Sequence, residues 1–323
     1  MFGLNTQCVL DDLEKTHHDL DDYTGEKPRW CPGCGDYAIL TAVQKLCHEE
    51  QIPPEKTVFV SGVGCASQFP ANMNTYGFQG LHGRALPVAE GVKMRRPDLN
   101  VFVNMGDGDC FSAGAGHWIH AIRYNMDMVA IVHDNRIYGF TKSQVSPTSP
   151  KGLVTKTSPK SSNGVTLSSL NPICATLGVA NASFVALAAD WIPDVLYQII
   201  KLAFQHRGFS FIRVLQRCPT YNPTAYDKFI KDPSNLQLLT HPTTVQLSDM
   251  LKRIFKNHID HDPVDLNAAR NFCTAEMYPI GVLYQDKNAP VYEDLRRPKR
   301  AQTPELIEQA LNREFDKFGI AAH

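Results

Sequence analysis

The stretch NVFVNMGDGD, residues 100–109, runs from apolar residues into two glycines that enclose Asp107. This pattern predicts a β-strand that leads into a glycine turn. The next segment, FSAGAGHWIHAIRYN, predicts a helix from Phe111, and MVAIVHDN, residues 128–135, predicts another strand. A strand–helix–strand crossover of this length makes the two strands parallel and close to each other in one sheet.

The same alternation of strands and helices extends outward from this unit. Further strands are predicted in TVFVSGVGC, residues 57–65, and FSFIRVLQRC, residues 209–218. The predicted helices are residues 36–50, with Asp36 as N-cap, and residues 87–97, 171–180 and 191–207. This alternation predicts an α/β fold with a doubly wound, mostly parallel sheet.

The pattern divides the chain into three parts. Residues 1–29 are predicted to form a polar N-terminal arm, and residues 30–225 an α/β domain. Residues 226–323 are predicted to form a C-terminal extension, because the pattern loosens after the domain.

Three further segments carry weaker signals. Residues 242–257 and 303–319 each suggest a helix in the C-terminal extension. Residues 146–164 are rich in Ser, Thr, Pro and Lys. They predict either a flexible surface loop or a loop that orders over a bound cofactor.

The composition excludes several classes of protein. The 323 residues are 43% hydrophobic and 20% charged, which is ordinary for a globular protein. A formal net charge of −1 provides no electrostatic footprint for nucleic acid or an anionic membrane. No apolar run approaches the roughly 20 residues of a membrane span, and the acidic N-terminus lacks a secretion-signal pattern. We therefore expect a cytoplasmic protein without a membrane or nucleic-acid partner.

Two oxygen-bearing side chains, Asp107 and Asn135, follow the ends of the central strands. Both are expected at the carboxyl edge of the sheet, where ligands bind in open α/β folds. A carboxylate, an amide oxygen and a nearby backbone carbonyl suit Mg²⁺, and the helix predicted from Phe111 would point its positive end there. The pattern predicts a diphosphate held through Mg²⁺, although GDG alone also fits a simple turn.

The spacing of these residues resembles a known motif. GDG, then 26 residues, then Asn135 is similar to the thiamine diphosphate motif of thiamine-dependent enzymes. The resemblance implies that Asp107, Asn135 and the carbonyl of Ile137 bind Mg²⁺. It also implies that Gly108 and Asp109 lie against the diphosphate.

Four of the nine cysteines suggest a second site. Cys31 and Cys34 form a C-x-x-C pair in WCPGCGD, while Cys65 and Cys218 each follow a predicted strand. The pair alone fits a redox disulfide, half of a zinc site or half of an iron–sulfur site, and four converging thiolates could bind zinc or a [4Fe–4S] cluster. A cluster beside thiamine diphosphate would accept electrons, whereas zinc would not, so this setting favours the cluster. The other five cysteines lack partners by spacing and are predicted non-ligands: Cys8, Cys47, Cys110, Cys174 and Cys273.

Several stretches together resemble the β subunit of 2-oxoacid:ferredoxin oxidoreductases. They are WCPGCGDYAIL, VSGVGCASQFP, LHGRALPVAEGVK, GDGDCFSAGAGHWIHAIRYN, DNRIYGFTKSQVSPTS, RCPTYN and IGVLYQDKNAPVYEDLRRP, spanning most of residues 29–299. The resemblance implies a thiamine diphosphate-binding domain, with Cys31, Cys34, Cys65 and Cys218 as [4Fe–4S] ligands. It also places the following residues around thiamine diphosphate: Val63, Gly64, Cys65, Ala66, His82, Gly139 and Phe140.

The chain has room for only half of a thiamine active site. Thiamine catalysis needs a glutamate from a second domain, and Glu90 is a poor candidate because a solvated helix face is predicted for it. The resemblance implies that the pyrimidine-binding domain and this glutamate belong to an α subunit. We therefore expect an αβ heterodimer, with a dimer of such heterodimers as the assembly.

The resemblance implies an oxidoreductase that decarboxylates a 2-oxoacid with coenzyme A and passes electrons through the cluster to ferredoxin, reversibly. Lys142 could pair with the distal carboxylate of 2-oxoglutarate, which favours succinyl-CoA as product, or it could face a phosphate or solvent. Ser143 departs from the common KGQ form of this stretch. Pyruvate or a broad range of 2-oxoacids is the alternative. A non-redox thiamine enzyme and a zinc-stabilised binding protein are further alternatives from other classes.

Overall fold

A computed structural model describes residues 17–296 and 303–317 of the chain. Nine strands form one sheet in this part. They are β1 (Thr57–Ser61), β2 (Tyr76–Gln79), β3 (Asn100–Gly106), β4 (Met128–Asp134), β5 (Phe184–Ala189), β6 (Phe209–Leu215), β7 (Leu236–Thr240), β8 (His258–Asp260) and β9 (Tyr278–Gln285).

The strands lie in the order β2-β1-β3-β4-β6-β5-β9-β7-β8. The first six are parallel to one another, and β9 pairs antiparallel with β5. β7 and β8 run parallel to β9, so the last three strands are opposed to the first six. The predicted α/β fold with a mostly parallel, doubly wound sheet is confirmed.

The described residues form eleven α-helices. They are α1 (Asp36–Glu49), α2 (Phe69–Asn72), α3 (Ala85–Arg95), α4 (Ala115–Tyr124), α5 (Pro172–Leu177), α6 (Pro193–Gln205), α7 (Asp227–Lys231), α8 (Asp249–Ile254), α9 (Leu266–Cys273), α10 (Tyr292–Arg296) and α11 (Pro304–Asp316). α6 packs on α1 and against β5 and β6, while α3 packs on β3 and on α4. β4, β5 and β6 are buried along their whole length, as expected for strands covered on both faces.

Two helix starts differ from the sequence-based expectation. The helix predicted from Phe111 begins instead as a π-helical turn, Asp109–Ala113, and α4 starts at Ala115. The Gly114 amide donates to the Asp109 carbonyl (2.9 Å), which closes the wide turn. Asp36 was predicted as the N-cap of the first helix, but Gly35 is the N-cap and Asp36 is buried. Asp36 and Asp109 are both buried, and neither side chain caps a helix.

The strands of the C-terminal part are the main feature that the sequence pattern did not reveal. Only α8 occupies the predicted helix at 242–257. β7, β8 and β9 extend the main sheet, and β9 joins it directly to β5. The division at residue 225 therefore crosses a continuous sheet, and it stays a prediction.

Part of the predicted N-terminal arm lies against the domain. Residues 1–16 are outside the described residues, but Tyr23 is fully buried and Thr24 pairs with Met73 in an antiparallel bridge. Across the described ranges, no helix combines the length and the apolar character that crossing a membrane would require.

Candidate functional site

A cavity of about 360 Å³ opens at the carboxyl edge of the parallel strands. β3 and β4 are adjacent and parallel, with Gly106 beside His133, so the residues that follow each strand meet at this edge. Every residue predicted to contact thiamine diphosphate or Mg²⁺ lines the cavity: Val63, Gly64, Cys65, Ala66, His82, Asp107, Gly108, Asp109, Asn135, Ile137, Gly139 and Phe140. The structure thus brings these residues together, while their individual roles stay predictions.

Asp107 is a buried carboxylate at the floor of the cavity. Its Oδ2 accepts hydrogen bonds from the hydroxyls of Ser146 and Thr148, both at 2.6 Å. Burial, and then the nearby Asp134 carboxylate, raise the pKa of Asp107 to about 7. A divalent cation would offset both effects, so the position of Asp107 suits the predicted Mg²⁺.

The hydroxyl of Thr148 lies between two carboxylates. It is 2.6 Å from Asp107 Oδ2 and 2.8 Å from Asp134 Oδ1, yet it has one proton to donate. Asp134 is also held by Arg213, whose Nε is 2.7 Å from Asp134 Oδ2. Thr148 can donate to only one of the two carboxylates at a time. A proton or a cation bound at Asp107 would supply the interaction that the other carboxylate lacks.

Asn135 and Ile137 form a short turn after β4. The Ile137 amide donates to Asn135 Oδ1 at 3.1 Å, and Asn222 donates to the Asn135 carbonyl at 3.0 Å. Both residues are buried, which fixes the amide oxygen near Asp107. A carboxylate and an amide oxygen at one sheet edge are the donor set that Mg²⁺ binds.

Gly108 meets the ring of Tyr138 at the wall of the cavity. A Cβ atom at residue 108 would lie 2.3 Å from that ring, so a larger residue cannot occupy the position. The Tyr138 hydroxyl donates to the Gly108 carbonyl at 2.9 Å. The close contact joins the turn after β3 to the turn after β4.

The Asp109 carboxylate organises three segments of the cavity. Its Oδ1 accepts from the amides of Gly83 (2.6 Å) and Val63 (3.4 Å), and His82 Nδ1 lies 2.8 Å from the same oxygen. Burial is the main effect on Asp109 and raises its pKa. The Asp109 Oδ1 atom is therefore occupied by protein groups, and a contact of Asp109 with a diphosphate stays a prediction.

A buried polar chain that the sequence analysis missed reaches the cavity from below. Asp36 Oδ1 lies 2.7 Å from His133 Nδ1, and His133 Nε2 lies 3.1 Å from Asn104 Nδ2. All three side chains are almost fully buried, and Asp36 and His133 line the cavity. The signal was a polar residue inside each apolar run, VFVNM and MVAIVHD, where a buried strand should be apolar.

Of the four predicted cluster cysteines, Cys65 lines the cavity. The Gly35 amide donates to the Arg217 carbonyl (3.0 Å), which holds the C-x-x-C segment against the end of β6. Trp30 Nε1 donates to the Cys65 carbonyl at 2.8 Å. A Cβ atom at Gly139 would lie 3.7 Å from Cys218 Sγ, so this thiol adjoins the cavity wall.

The thiols act on one another electrostatically. Burial first, then Asp36 and the thiols of Cys218 and Cys31, raise the pKa of Cys65 to about 12. Burial and then Asp36 also raise the pKa of Cys34. Over the ranges 17–296 and 303–317, no three or more His, Cys, Asp or Glu side chains form a ready metal site. The four thiols match the donor set of a [4Fe–4S] cluster, and bound iron would favour the thiolates that burial disfavours.

Lys142 does not line the cavity. It is exposed in a turn where its amide donates to the Gly139 carbonyl at 2.9 Å, and it has φ +71°. Ser143 follows with φ +82°, a conformation that glycine adopts without strain. The turn carries Lys142 close to Phe140 at the rim, so its role toward a substrate stays a prediction.

Glu90 corrects one sequence-based expectation. It was placed on a solvated helix face, but it is half-buried in α3 and its Oε1 is buried without a hydrogen-bond partner among the described residues. Burial raises its pKa to about 7. Glu90 is not among the residues that line the cavity, so it is still no candidate for the thiamine-activating glutamate.

Comparison with known proteins shows which family the chain belongs to. Residues 62–214 match the thiamine pyrophosphate enzyme, C-terminal TPP binding domain, and residues 251–299 match the C-terminal part of the pyruvate ferredoxin oxidoreductase beta subunit. The 2-oxoacid:ferredoxin oxidoreductase subunit beta of Saccharolobus solfataricus is 38% identical over 274 residues, which are 82% of this chain and 84% of that protein. The chain belongs to the family of 2-oxoacid:ferredoxin oxidoreductase β subunits.

Other members of this β-subunit family extend the comparison. The 2-oxoglutarate oxidoreductase subunit KorB of Mycobacterium tuberculosis is 43% identical over 65% of this chain, which spans 56% of that relative. A solved 2-oxoglutarate:ferredoxin oxidoreductase from Magnetococcus marinus, with 2-oxoglutarate, coenzyme A and succinyl-CoA bound, superposes with a TM-score of 0.74. It is 32% identical and covers 92% of this chain and 97% of its own. As a β subunit with a thiamine diphosphate-binding domain, the chain is part of an enzyme complex.

Proposed function

We propose that this chain is the β subunit of a 2-oxoglutarate:ferredoxin oxidoreductase. The complex converts 2-oxoglutarate and coenzyme A to succinyl-CoA and carbon dioxide, and the electrons pass through a [4Fe–4S] cluster to ferredoxin. The reaction runs in either direction, depending on the potential of the electron donor.

One observation carries the proposal. The twelve residues that the sequence motifs assign to thiamine diphosphate and Mg²⁺ line a single cavity, and Cys65, one of the four cluster cysteines, is among them. The volume of about 360 Å³ lies within the range of small-molecule sites. Cofactor and cluster would therefore be neighbours, as electron transfer between them requires.

Thiamine diphosphate, when bound, supplies the electron sink that lets carbon dioxide leave from a 2-oxoacid. In this chain, Asp107, Asn135 and the carbonyl of Ile137 would hold the Mg²⁺ that anchors the diphosphate. The backbone at Gly108, which lines the cavity, would lie against the diphosphate. Asp109 would position His82 and the Val63 segment around the cofactor.

The four cysteines would hold the cluster next to this cavity. Trp30 fixes the backbone at Cys65, and the Gly35–Arg217 hydrogen bond holds the C-x-x-C segment close to Cys218. Gln216 Nε2 is 3.2 Å from Cys34 Sγ and also lines the cavity. An amide donor at a sulfur is one of the means by which proteins tune cluster potentials.

A partner must supply the rest of the active site. The cavity-lining residues include no glutamate, and Glu90 lies elsewhere. An α subunit with a pyrimidine-binding domain would provide the activating glutamate from the open side of the cavity. The proposed unit is therefore an αβ heterodimer, paired into a larger assembly.

The choice of 2-oxoglutarate rests on two supports. A relative and the superposed solved structure both carry 2-oxoglutarate in their names. Lys142 is exposed two residues after Phe140, which lines the cavity, and could pair with a second carboxylate, which pyruvate lacks. Pyruvate or a broad range of 2-oxoacids is the alternative.

Steady-state assays of the anaerobically purified complex test the proposal. We expect ferredoxin reduction that requires coenzyme A and is faster with 2-oxoglutarate than with pyruvate. Ferredoxin reduction with pyruvate but not with 2-oxoglutarate would support the proposed type of reaction and contradict 2-oxoglutarate as the substrate. Carbon dioxide release without ferredoxin reduction, in a complex free of iron, would favour a non-redox thiamine enzyme.

A further inference from the structure

Two cysteines outside the cofactor site lie on helices that pack against each other. Cys174 is in α5, and Cys273 is the last residue of α9. The two helices pack together, although 98 residues separate the cysteines in sequence. Sequence spacing gave no reason to pair them, because the contact depends on the C-terminal part folding back onto the domain.

The side chain of Asn171 bridges the backbones of both cysteines. Its Oδ1 accepts from the Cys174 amide at 3.2 Å, and its Nδ2 donates to the Cys273 carbonyl at 2.8 Å. The Cys273 thiol donates to the Ala269 carbonyl within α9 at 3.3 Å. The Asn171 bridge therefore holds the backbones of the two cysteines close together.

Both cysteines are partly exposed to solvent. Each cysteine is half-buried, in contrast to Cys47 and Cys110, which are fully buried. A cavity of about 30 Å³, lined in part by Asn171 and Cys273, adjoins the pair. That volume admits a molecule of the size of one water, which is also the scale of a peroxide.

We propose that Cys174 and Cys273 form a reversible disulfide when the protein meets a peroxide. The bond would link α5 of the thiamine-binding domain to α9 in the C-terminal part. It would be separate from the four cysteines proposed to hold the cluster.

The chemistry balances with hydrogen peroxide as the oxidant. One thiolate attacks a peroxide oxygen, the O–O bond breaks, and a sulfenic acid and hydroxide form; the hydroxide takes up a proton as water. The second thiol then attacks the sulfenic sulfur, forms the S–S bond and releases a second water. Two thiols lose two electrons and two protons, and one peroxide becomes two waters. A dithiol reductant reverses the reaction.

Disulfide mapping of the purified complex tests the proposal. The anaerobic, reduced complex is treated with hydrogen peroxide, free thiols are blocked with N-ethylmaleimide, and the digest is analysed by mass spectrometry without reduction. We expect a peptide pair linked through Cys174 and Cys273, lost on dithiothreitol treatment and absent from the Cys174→Ser and Cys273→Ser variants. Separate alkylation or separate oxidation of the two cysteines would overturn the proposal.

Thermal unfolding of the same samples provides a second readout. A cross-link that closes a loop of about 100 residues restricts the unfolded chain, so the oxidised wild type should unfold about 5 °C higher than oxidised Cys174→Ser. The reduced proteins should unfold together. Comparison of equally oxidised samples removes any effect of cluster damage, which both proteins share. Equal unfolding temperatures after oxidation would mean that the linked peptide arose outside the folded protein, and would also overturn the proposal.

Discussion

In the proposed enzyme, Lys142 would contact the distal carboxylate of 2-oxoglutarate and so favour this substrate. Replacing it with Gln removes the charge but keeps most of the length, and a lost charge-assisted contact is worth about 1.5–3 kcal/mol. Lys142→Gln should therefore lower kcat/KM for 2-oxoglutarate by roughly 10- to 100-fold and leave kcat/KM for pyruvate unchanged. Steady-state kinetics with both substrates measure the difference.

A second exposed lysine, away from the cavity, controls for the loss of one positive charge from the protein surface. Lys228 is exposed and does not line the cavity. Lys228→Gln should change kcat/KM for neither substrate. An equal loss for 2-oxoglutarate and pyruvate in Lys142→Gln would mean that Lys142 acts on something common to both reactions, such as the cofactor or the turn itself.

The ionisation of Glu90 should make the stability of the folded protein depend on pH. Burial raises its folded-state pKa to about 7, above the unfolded value of about 4.3. The folded protein therefore loses stability as pH rises from about 4.3 to about 7, and the loss is complete above that range. Because Glu90 is only half-buried, Glu90→Gln should raise the free energy of unfolding by about 1 kcal/mol near pH 8, and by less near pH 5.

Urea unfolding at the two pH values measures this effect. Glu308→Gln, on the exposed face of α11, is the control and should change nothing. A lower stability of Glu90→Gln near pH 8 would show that the carboxylate has a cationic partner in the complex. Its buried, unpartnered Oε1 argues against such a partner within the described part of this chain.

At the scale of elements, the segment after β4 supports the floor of the cavity. Thr148 and Ser146 begin the 146–164 loop and hold Asp107 through their hydroxyls. The sequence left two interpretations of this loop open. Its first residues are buried under the cavity, whereas residues 160–163 are exposed, so the loop is anchored at its start.

Thr148→Val tests this anchor. Valine keeps the shape but removes the hydroxyl shared by Asp107 and Asp134, which leaves buried carboxylate oxygens short of a donor. We expect the free energy of unfolding to fall by about 2 kcal/mol and thiamine diphosphate to bind about tenfold more weakly. Chemical unfolding and calorimetric titration of the cofactor in the presence of Mg²⁺ measure the two effects.

Thr166→Val, in the exposed stretch just after this loop, is the control for the same change in chemistry. It should shift stability by less than about 0.5 kcal/mol and leave cofactor binding unchanged. Normal stability and cofactor affinity in Thr148→Val would contradict the view that the hydroxyl supports Asp107.

The elements also show what the sequence could reveal. β3, β4 and β6 were predictable because buried parallel strands are short, continuous apolar runs before turns. β2 was not, because all four of its residues are exposed and its pairing with β1 depends on tertiary contacts. The π-helical turn at Asp109–Ala113 was also hidden, since small residues fit an ordinary helix equally well.

Some residues of the candidate site could also be predicted from the sequence, and others could not. Asp107, Asn135 and the Cys31–Cys34 pair could be proposed because metal and phosphate chemistry restricts residue types at fixed spacings, and their roles stay predictions. Asp36 and His133 were missed because a buried polar pair from α1 and β4 has no spacing rule. The packing of the helices that carry Cys174 and Cys273 likewise depends on β9 returning to the main sheet, which no local pattern reveals.

At the scale of the whole molecule, the chain presents an open half-site. The cavity lies at one edge of the sheet, with the exposed Val63 and Phe140 at its rim. Exposed apolar side chains beside a polar cavity fit a surface that is covered by a partner protein. The same edge holds Cys65 and Cys218, so the proposed cluster and the proposed contact with an α subunit would lie beside the cofactor cavity.

Metal and sulfide analysis of the complex, purified without oxygen, tests the central claim most directly. The chain is co-purified with its candidate α subunit, and iron, acid-labile sulfide and zinc are measured together with the visible spectrum. The proposed function predicts about four irons and four sulfides per chain and a chromophore that 2-oxoacid and coenzyme A can reduce. A Cys31→Ser variant should lose this iron, whereas Cys47→Ser, at a buried helix position away from the cavity, should retain it. Zinc in place of iron, or no metal under strictly anaerobic handling, would contradict the electron-transfer role of WCPGCGD.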